Sequence, residues 1–417
     1  MSKSKNTPVL LLTGYLGSGK TTLLNRILTN ERNIRFAVIV NDLGEVNIDA
    51  ELIQKGGVVG GNNNDDLVAL QNGCICCTLR TDLIEQLAEL VASDNFDYIV
   101  IEASGICEPQ PIAQTICMMP RLHPKYTEHG TPRLDCICTV VDALRLKAEF
   151  GCGEALSAPL PEDEENIESL IIDQIEFCNI ILLNKIDEVT SEEARRIRAV
   201  IRALQPKARI IDTNYCDVPL DELLNTQQFD FEQVATSATW VRELEDIHDD
   251  DDDDDHDDHD EHEHHHDHDE DEHEDDHEHE HHGHCHHHHH HHGEGEAEEY
   301  GVQTFVYQRR DGFDMNKFDY FVTRQWPSNI IRAKGVLYFN HDRDMSYLFE
   351  QAGPQKKLTK AGYWYATAPA DELEAMKAAD PSIEKNWDPV YGDRIVKLVF
   401  IGQHLDRAAI TDALNDM

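Results

Sequence analysis

GYLGSGKT, residues Gly14 to Thr21, follows a short apolar run at Val9–Thr13 and opens a helical pattern over Thr21–Asn30. A glycine-rich loop between a buried strand and a helix, closed by Gly-Lys-Thr, is the Walker A arrangement. The physical reason lies in the backbone. Gly14, Gly17 and Gly19, with Ser18 between them, let successive N–H groups wrap an anion. The helix start at Lys20, Thr21 and Thr22 adds the positive end of its dipole. Lys20 is placed to reach β- and γ-phosphates, and the Thr21 hydroxyl to ligate Mg²⁺. A chance glycine-rich turn would lack the flanking strand and helix.

Outward from this loop, apolar runs recur at Arg35–Val40, Tyr98–Glu102, Cys136–Val141, Ile180–Asn184 and Ala208–Asp212. Helical periodicity falls between them, as with Leu83, Leu87 and Leu90 in Leu79–Val91. The alternation predicts an α/β class, a mostly parallel sheet with helices on both faces, over residues 1–240. Residues 241–300 break the pattern, and their charge with so few apolar side chains predicts a disordered linker. Residues 301–417 are globular again. Strands are expected at Thr304–Tyr307, Ile331–Tyr338 and Ile395–Ile401, with helices at Asp371–Ala379 and Arg407–Leu414, giving a small α+β domain.

Two later strand ends extend the nucleotide reading. Asn184-Lys185-Ile186-Asp187 closes the run at Ile180, and an Asp187 carboxylate can accept the two hydrogen bonds that guanine offers and adenine does not. A site built around such a pair strongly rejects the analogue lacking it, so GTP is the expected nucleotide. Glu102, at the end of Tyr98–Glu102, takes the Walker B position for Mg²⁺. Its competing reading is a solvated strand end. Gly105, in Glu102-Ala-Ser-Gly105, is free of a side chain and can present its N–H to a γ-phosphate.

Composition excludes several classes. The 417 residues carry a formal charge of −45, and removing the 28 acids of Glu245–Glu299 still leaves −17. A body this acidic argues against nucleic acid or an anionic membrane as partner. No stretch approaches the roughly 18 apolar residues of a membrane span. The start, MSKSKNTPVL, has no apolar signal-peptide core. Eleven cysteines, an odd number, beside a nucleotide motif read as reduced thiols, so a cytoplasmic location is expected.

Within the linker, the run Glu245–Glu299 holds 21 of the 25 histidines and neither Lys nor Arg. Imidazoles such as His264, His265 and His266, or His286, His288 and His290, are ligands for Zn, Ni, Co and Cu, so weak metal sites are expected there. An inert acidic linker is the competing reading. Gly73-Cys74-Ile75-Cys76-Cys77 packs three thiols into four residues, a denser pattern than buried structural cysteine requires. Three thiolates this close are poorly placed to fill a tetrahedral shell, so remote ligands should complete it. Asp42 and Glu45, in Asn41-Asp42-Leu43-Gly44-Glu45, are the candidates. Cys136 and Cys138 alternate on a buried strand and read as core packing. His123, His129, His341 and His404 are isolated, and Trp326, Trp364 and Trp387 read as core or groove residues.

Taken together, GYLGSGKTT, NDLGEV from Asn41, GCICCTLR from Gly73, IEASG from Ile101 and NKID from Asn184 resemble the CobW-like family of P-loop GTPases. IIRAKGVLYF from Ile330 and RIVKLVFIGQHLD from Arg394 resemble that family's C-terminal domain, and a His-rich insertion between the two is typical of it. The resemblance implies a GTPase that acts as a metallochaperone or metal-insertion factor. It implies that Cys74, Cys76 and Cys77 bind Zn or Co, with Glu45 as a switch ligand. Asp42 stands where the family often has Glu. The Cys-Pro-Glu docking motif of some eukaryotic zinc chaperones does not occur, which leaves the client undefined.

The expectation is a GTP-hydrolysing metallochaperone that transfers a transition metal, Zn²⁺ ahead of Co²⁺ or Ni²⁺, to a client metalloprotein, with room for a homodimer. Lys20, Mg²⁺ and Glu102 would carry the phosphate chemistry, and Asp42 or Glu45 would orient the attacking water. The γ-phosphate orders switch segments in such folds, so GTP would open or complete the cysteine site through Glu45. Two alternatives are a metal buffer with a regulatory nucleotide site and a maturation factor for a cobalt enzyme.

Overall fold

The run before the glycine-rich loop sits at the centre of a sheet because both of its faces are apolar. In β1 (Asn6–Thr13), Val9 and Leu11 join one buried cluster while Leu10 and Leu12 join another. That two-sided burial is the requirement of a parallel strand covered by helices on both faces. The structure is a computed structural model describing residues 6–29, 34–40, 80–149, 167–239, 241–242, 300–380, 382–385 and 387–417.

The other strands of this sheet are β2 (Phe36–Val40), β3 (Tyr98–Glu102), β4 (Thr131–Asp142), β5 (Ile180–Asn184) and β6 (Arg209–Asp212). They pair in the order β2-β3-β1-β4-β5-β6, every neighbour parallel. The helices between them are α1 (Lys20–Leu28), α2 (Arg80–Ser93), α3 (Pro109–Met118), α4 (Ala143–Glu149), α5 (Ile167–Glu176), α6 (Ser191–Leu204) and α7 (Phe231–Ala235). Leu83, Leu87 and Leu90 of α2 are buried in the first cluster, as their spacing predicts. In α6, Thr190 and Glu193 form a reciprocal capping box that satisfies two N-terminal amides. The strand β4 is longer than expected. The residues it adds ahead of Cys136 include Asp135, which accepts hydrogen bonds from Tyr98 Oη at 2.6 Å and the amides of Thr226 and Gln227 at 3.0 and 2.8 Å.

The second sheet contains β7 (Val302–Arg309), β8 (Ile330–Phe339), β9 (Asp342–Ala352), β10 (Gln355–Tyr363) and β11 (Val396–Gln403), in the antiparallel order β10-β9-β8-β11-β7. The sequence foresees three of these five strands. One face packs Phe305, Leu337, Phe349 and Phe400 with Phe318 of α8 (Met315–Tyr320). Ile410 and Leu414 of α11 (Arg407–Asn415), which follows α9 (Ala370–Ala379) and α10 (Ser382–Lys385), close the same core. The opposite face does not look onto solvent. Val302, Ile331, Ala352 and Ile401 enter the apolar cluster that holds Ile171, Ile172 and Ile175 of α5 and Ile197 and Val200 of α6. The two sheets therefore share a core across the helices α5 and α6.

Trp326 and Trp364 pack partly buried against the second core, and the Lys377 ammonium lies 3.8 Å above the Trp387 ring. Cys136 and Cys138 are fully buried. Among the described residues, no helix is long and apolar enough to cross a membrane.

Candidate functional site

The parallel register aligns four strand ends. Leu12 pairs with Glu102, Thr13 with Thr139, and Asp142 with Asn184. The loops after β1, β3, β4 and β5 consequently gather along one edge, outside the carboxyl ends of the strands where open α/β sheets bind ligands.

The loop after β1 runs straight into α1, whose first turn holds no acidic residue. Gly19 precedes it at φ 117°, and a Cβ there would lie 2.5 Å from Asn184 Nδ2 and 3.0 Å from Cys216 Sγ, so only glycine fits. Lys20 is buried, its ammonium donating to Gly14 O at 2.8 Å and Tyr15 O at 3.2 Å. This folds its side chain back over the loop, within reach of whatever anion the loop encloses. The buried Ser18 hydroxyl has no hydrogen-bond partner among the described residues. Such an atom is costly to leave alone and is met by a ligand or water.

Glu102 is 2% exposed, which excludes the solvated strand end. Thr21 Oγ1 donates to Glu102 Oε1 at 3.2 Å. A hydroxyl and a carboxylate side by side below the phosphate loop form the hard-oxygen donor pair that Mg²⁺ favours. Gly105 is pressed against the same loop: a Cβ would meet Leu16 N at 2.7 Å.

On the far side, Asn184 braces the loops rather than facing a ligand. Its Nδ2 donates to Ser18 O at 2.9 Å, and its Oδ1 accepts from Thr213 Oγ1 at 3.2 Å and Cys216 N at 2.9 Å. Lys185 takes a left-handed conformation, φ 58°, and pairs with Asp142. Asp187, in the short turn Ile186–Glu188, is exposed, and its amide donates to Asn214 Oδ1 at 3.1 Å. Thr22 is exposed in the first turn of α1.

The structure thus brings Gly14, Gly17, Ser18, Gly19, Lys20, Thr21, Thr22, Glu102, Gly105, Asn184, Lys185 and Asp187 to one edge of the sheet. Asp42, Glu45, Cys74, Cys76 and Cys77 lie outside the described residues, as do His264, His265, His266, His286, His288 and His290. Among the described residues there is no group of three or more His, Cys, Asp or Glu able to hold a metal.

Sequence reasoning passes over several participants. Cys216 carries no spacing signal, yet its buried thiol donates to Gly19 O at 3.4 Å. Burial pushes that thiol up to about 12, with Arg26 and Lys185 pulling it back, so it remains neutral and acts as packing under the loop. Thr139 and Gln174 are likewise invisible as a motif. The one available clue is positional: Thr213 and Asn214 follow the predicted strand end at Asp212.

Comparison with known proteins matches both halves of the chain. The family model described as CobW/HypB/UreG, nucleotide-binding domain, matches residues 8–212, and that of the cobalamin synthesis protein cobW C-terminal domain matches residues 302–417. A Dictyostelium discoideum protein named zinc-regulated GTPase metalloprotein activator 1 is 32% identical over 422 residues, covering 98% of this chain and 79% of its own. The Pseudomonas aeruginosa zinc chaperone CobW is 33% identical over 52% of this chain and 59% of its own. The Escherichia coli zinc chaperone YjiA is 31% identical over 55% of this chain and 64% of its own. Since both halves match in order and one relative aligns along almost the whole length, this chain belongs to the CobW-like family of P-loop GTPases.

Proposed function

We propose that this protein is a GTP-hydrolysing metallochaperone that binds zinc and hands it to a client metalloprotein. The observation that carries the reading is the convergence of Lys20, Thr21, Glu102, Gly105 and Asp187 on one sheet edge. The relatives' names, two of them zinc chaperones and one a zinc-regulated GTPase, support the choice of metal.

In this reading, the amides from Gly14 to Thr22 and the start of α1 enclose the β- and γ-phosphates. The Lys20 ammonium exchanges its two carbonyl partners for phosphate oxygens and neutralises charge as the γ-phosphoryl departs. A Mg²⁺ ion held by Thr21 Oγ1 and Glu102 would stabilise the same charge. Gly105 N–H would meet the γ-phosphate alone and so distinguish GTP from GDP. Water would attack the γ-phosphorus, the bond to the β-phosphate oxygen would break, and GDP and phosphate would leave. Asp42 or Glu45 is assigned the orientation of that water.

Asp187 would select the base. Asp187→Asn exchanges one carboxylate oxygen for an N–H₂ that faces the guanine donors. Preference for GTP over ATP, measured as the ratio of kcat/KM values, should fall by about 10² or more. Equal turnover of both nucleotides by the unmodified protein would remove the argument.

The zinc cargo is assigned to Cys74, Cys76 and Cys77 with Glu45, and weaker equivalents to the tail histidines. The corresponding division of labour is residues 1–240 for GTP and the tight zinc equivalent, 241–300 for the weaker metal equivalents and 301–417 for the second domain. Cys76→Ser should weaken the tight zinc equivalent with little effect on GTP binding, because the phosphate loop does not include it. Competition with a zinc-chelating dye, run alongside nucleotide titration, reads both. Retention of full zinc affinity would reassign the cargo site.

A further inference from the structure

Gln174 plays no part in any sequence motif, yet it is 1% exposed and uses both hydrogens of its side-chain amide on the loop after β3. Nε2 donates to Gly105 O at 3.3 Å and to Cys107 O at 3.2 Å, which holds the chain on either side of Ile106. The main chain of the same residue is tied to the phosphate loop's own strand. Thr139 Oγ1 donates to Gln174 O at 2.9 Å, and Thr139 Oγ1 lies 2.8 Å from Thr13 Oγ1, one residue before Gly14.

The neighbours of Gln174 on α5 reach in the other direction. Arg332, on β8 of the second sheet, donates Nε to Glu176 Oε1 at 2.9 Å and Nη2 to Glu176 Oε2 at 2.8 Å. Its Nη2 also meets Asp173 Oδ1 at 3.2 Å. The forked pairing with Glu176 fixes direction as well as distance, which a lysine could not reproduce. One turn of helix, Asp173 to Glu176, therefore contacts the strand before the phosphate loop (through Thr139), the loop holding Gly105, and the second domain. Ile175, within that turn, is fully buried in the shared core.

We infer that Gln174 is a positioning residue for GTP turnover, holding the Gly105 loop in register with the phosphates, and that Arg332 sets its position from the second domain. The inference rests on the GTPase reading above. A change in how the second domain seats on α5 would alter the Gly105 loop, and nucleotide binding would alter that seating in return. The coupling runs through hydrogen bonds with a defined geometry on one helical turn, so it is testable residue by residue.

The test uses the full chain and three variants: Gln174→Leu, Arg332→Lys and the double variant. Phosphate release gives kcat and KM for GTP, and titration with a fluorescent GDP gives the affinity for a nucleotide that lacks the γ-phosphate. Gln174→Leu should lower kcat by about tenfold, the effect of losing hydrogen bonds at a positioned loop, with GDP affinity unchanged. Arg332→Lys should move kcat in the same direction by less. The double variant should be no worse than Gln174→Leu alone, because both act through one element. If folded variants keep the wild-type kcat, or if kcat and GDP affinity fall together, the positioning role is overturned. Additive losses would overturn the link to Arg332. If the unmodified protein does not hydrolyse GTP, the GTPase reading fails instead.

Discussion

Lys20→Ala reduces kcat/KM for GTP by at least about a thousandfold, the scale on which a preorganised cation at a transferring phosphoryl group acts. The ammonium is already desolvated, with Gly14 O and Tyr15 O as its partners, so little reorganisation is needed when the phosphates arrive. Alanine leaves those carbonyls facing the anion with no cation between them. The fold should survive, since the hydrogen bonds that alanine removes belong to the loop and not to either apolar cluster. Phosphate release across a range of GTP concentrations, with circular dichroism to confirm folding, checks this. Residual turnover within tenfold of wild type would place the chemistry elsewhere.

Arg332→Ala destabilises the protein by about 3–5 kcal/mol, because it strands a carboxylate inside the shared core. Side-chain exposure is 3% for Arg332 and 7% for Glu176, and the pair is joined by two hydrogen bonds. Asp173 behaves differently. Its side chain is 31% exposed and it meets Arg332 at 3.2 Å. Burial raises the Asp173 carboxyl to about 7, with Arg332 pulling it back down and Glu176 raising it further. Asp173→Asn should therefore cost little or be mildly stabilising at neutral pH.

The sign of the pH effect follows from proton binding. Between the ordinary aspartate range and the raised value, the folded protein keeps a proton that the unfolded chain releases. Wild-type stability then falls, relative to Asp173→Asn, as pH rises through that window. Urea unfolding of both proteins at about pH 5 and about pH 7.5 should show the asparagine variant gaining on wild type at the higher pH. An unchanged difference between the two would mean that Asp173 titrates normally. A loss below about 1 kcal/mol for Arg332→Ala would mean that the pair is hydrated and behaves as a surface salt bridge.

Most of the first sheet is legible because its strands are short, buried on both faces and bounded by turns. Tyr98–Glu102 and Ile180–Asn184 appear in the structure with the boundaries read from sequence. In the second sheet the signal fails for a definite reason. Every residue of β10 except Gly362 is exposed, since it is an edge strand carrying Lys356, Lys357 and Lys360, and so it has no apolar alternation to detect. The strand β9 mixes buried Tyr347, Phe349 and Gln351 with charged residues. Tyr347 and Phe349 enter the second core while Ala352 enters the cluster shared with α5, so no single apolar face stands out. At Glu102 the sequence leaves a metal-facing carboxylate and a solvated strand end both open, and burial removes the second.

By itself the sequence determined the glycine-rich loop between strand and helix, the carboxylates Glu102 and Asp187 at or just beyond strand ends, and the parallel α/β class. These depend on residues adjacent in the chain, where backbone conformation and strand or helix period leave a local record. Tertiary structure alone decided that Gln174 holds Gly105 across 69 residues and that Arg332 grips Glu176 across 156. It also decided that the second sheet shares a core with α5 and α6. The physical reason is that a hydrogen bond or ion pair between distant residues leaves no period or spacing in the sequence. A glutamine and an arginine look like any other polar residues until the fold buries them against their partners.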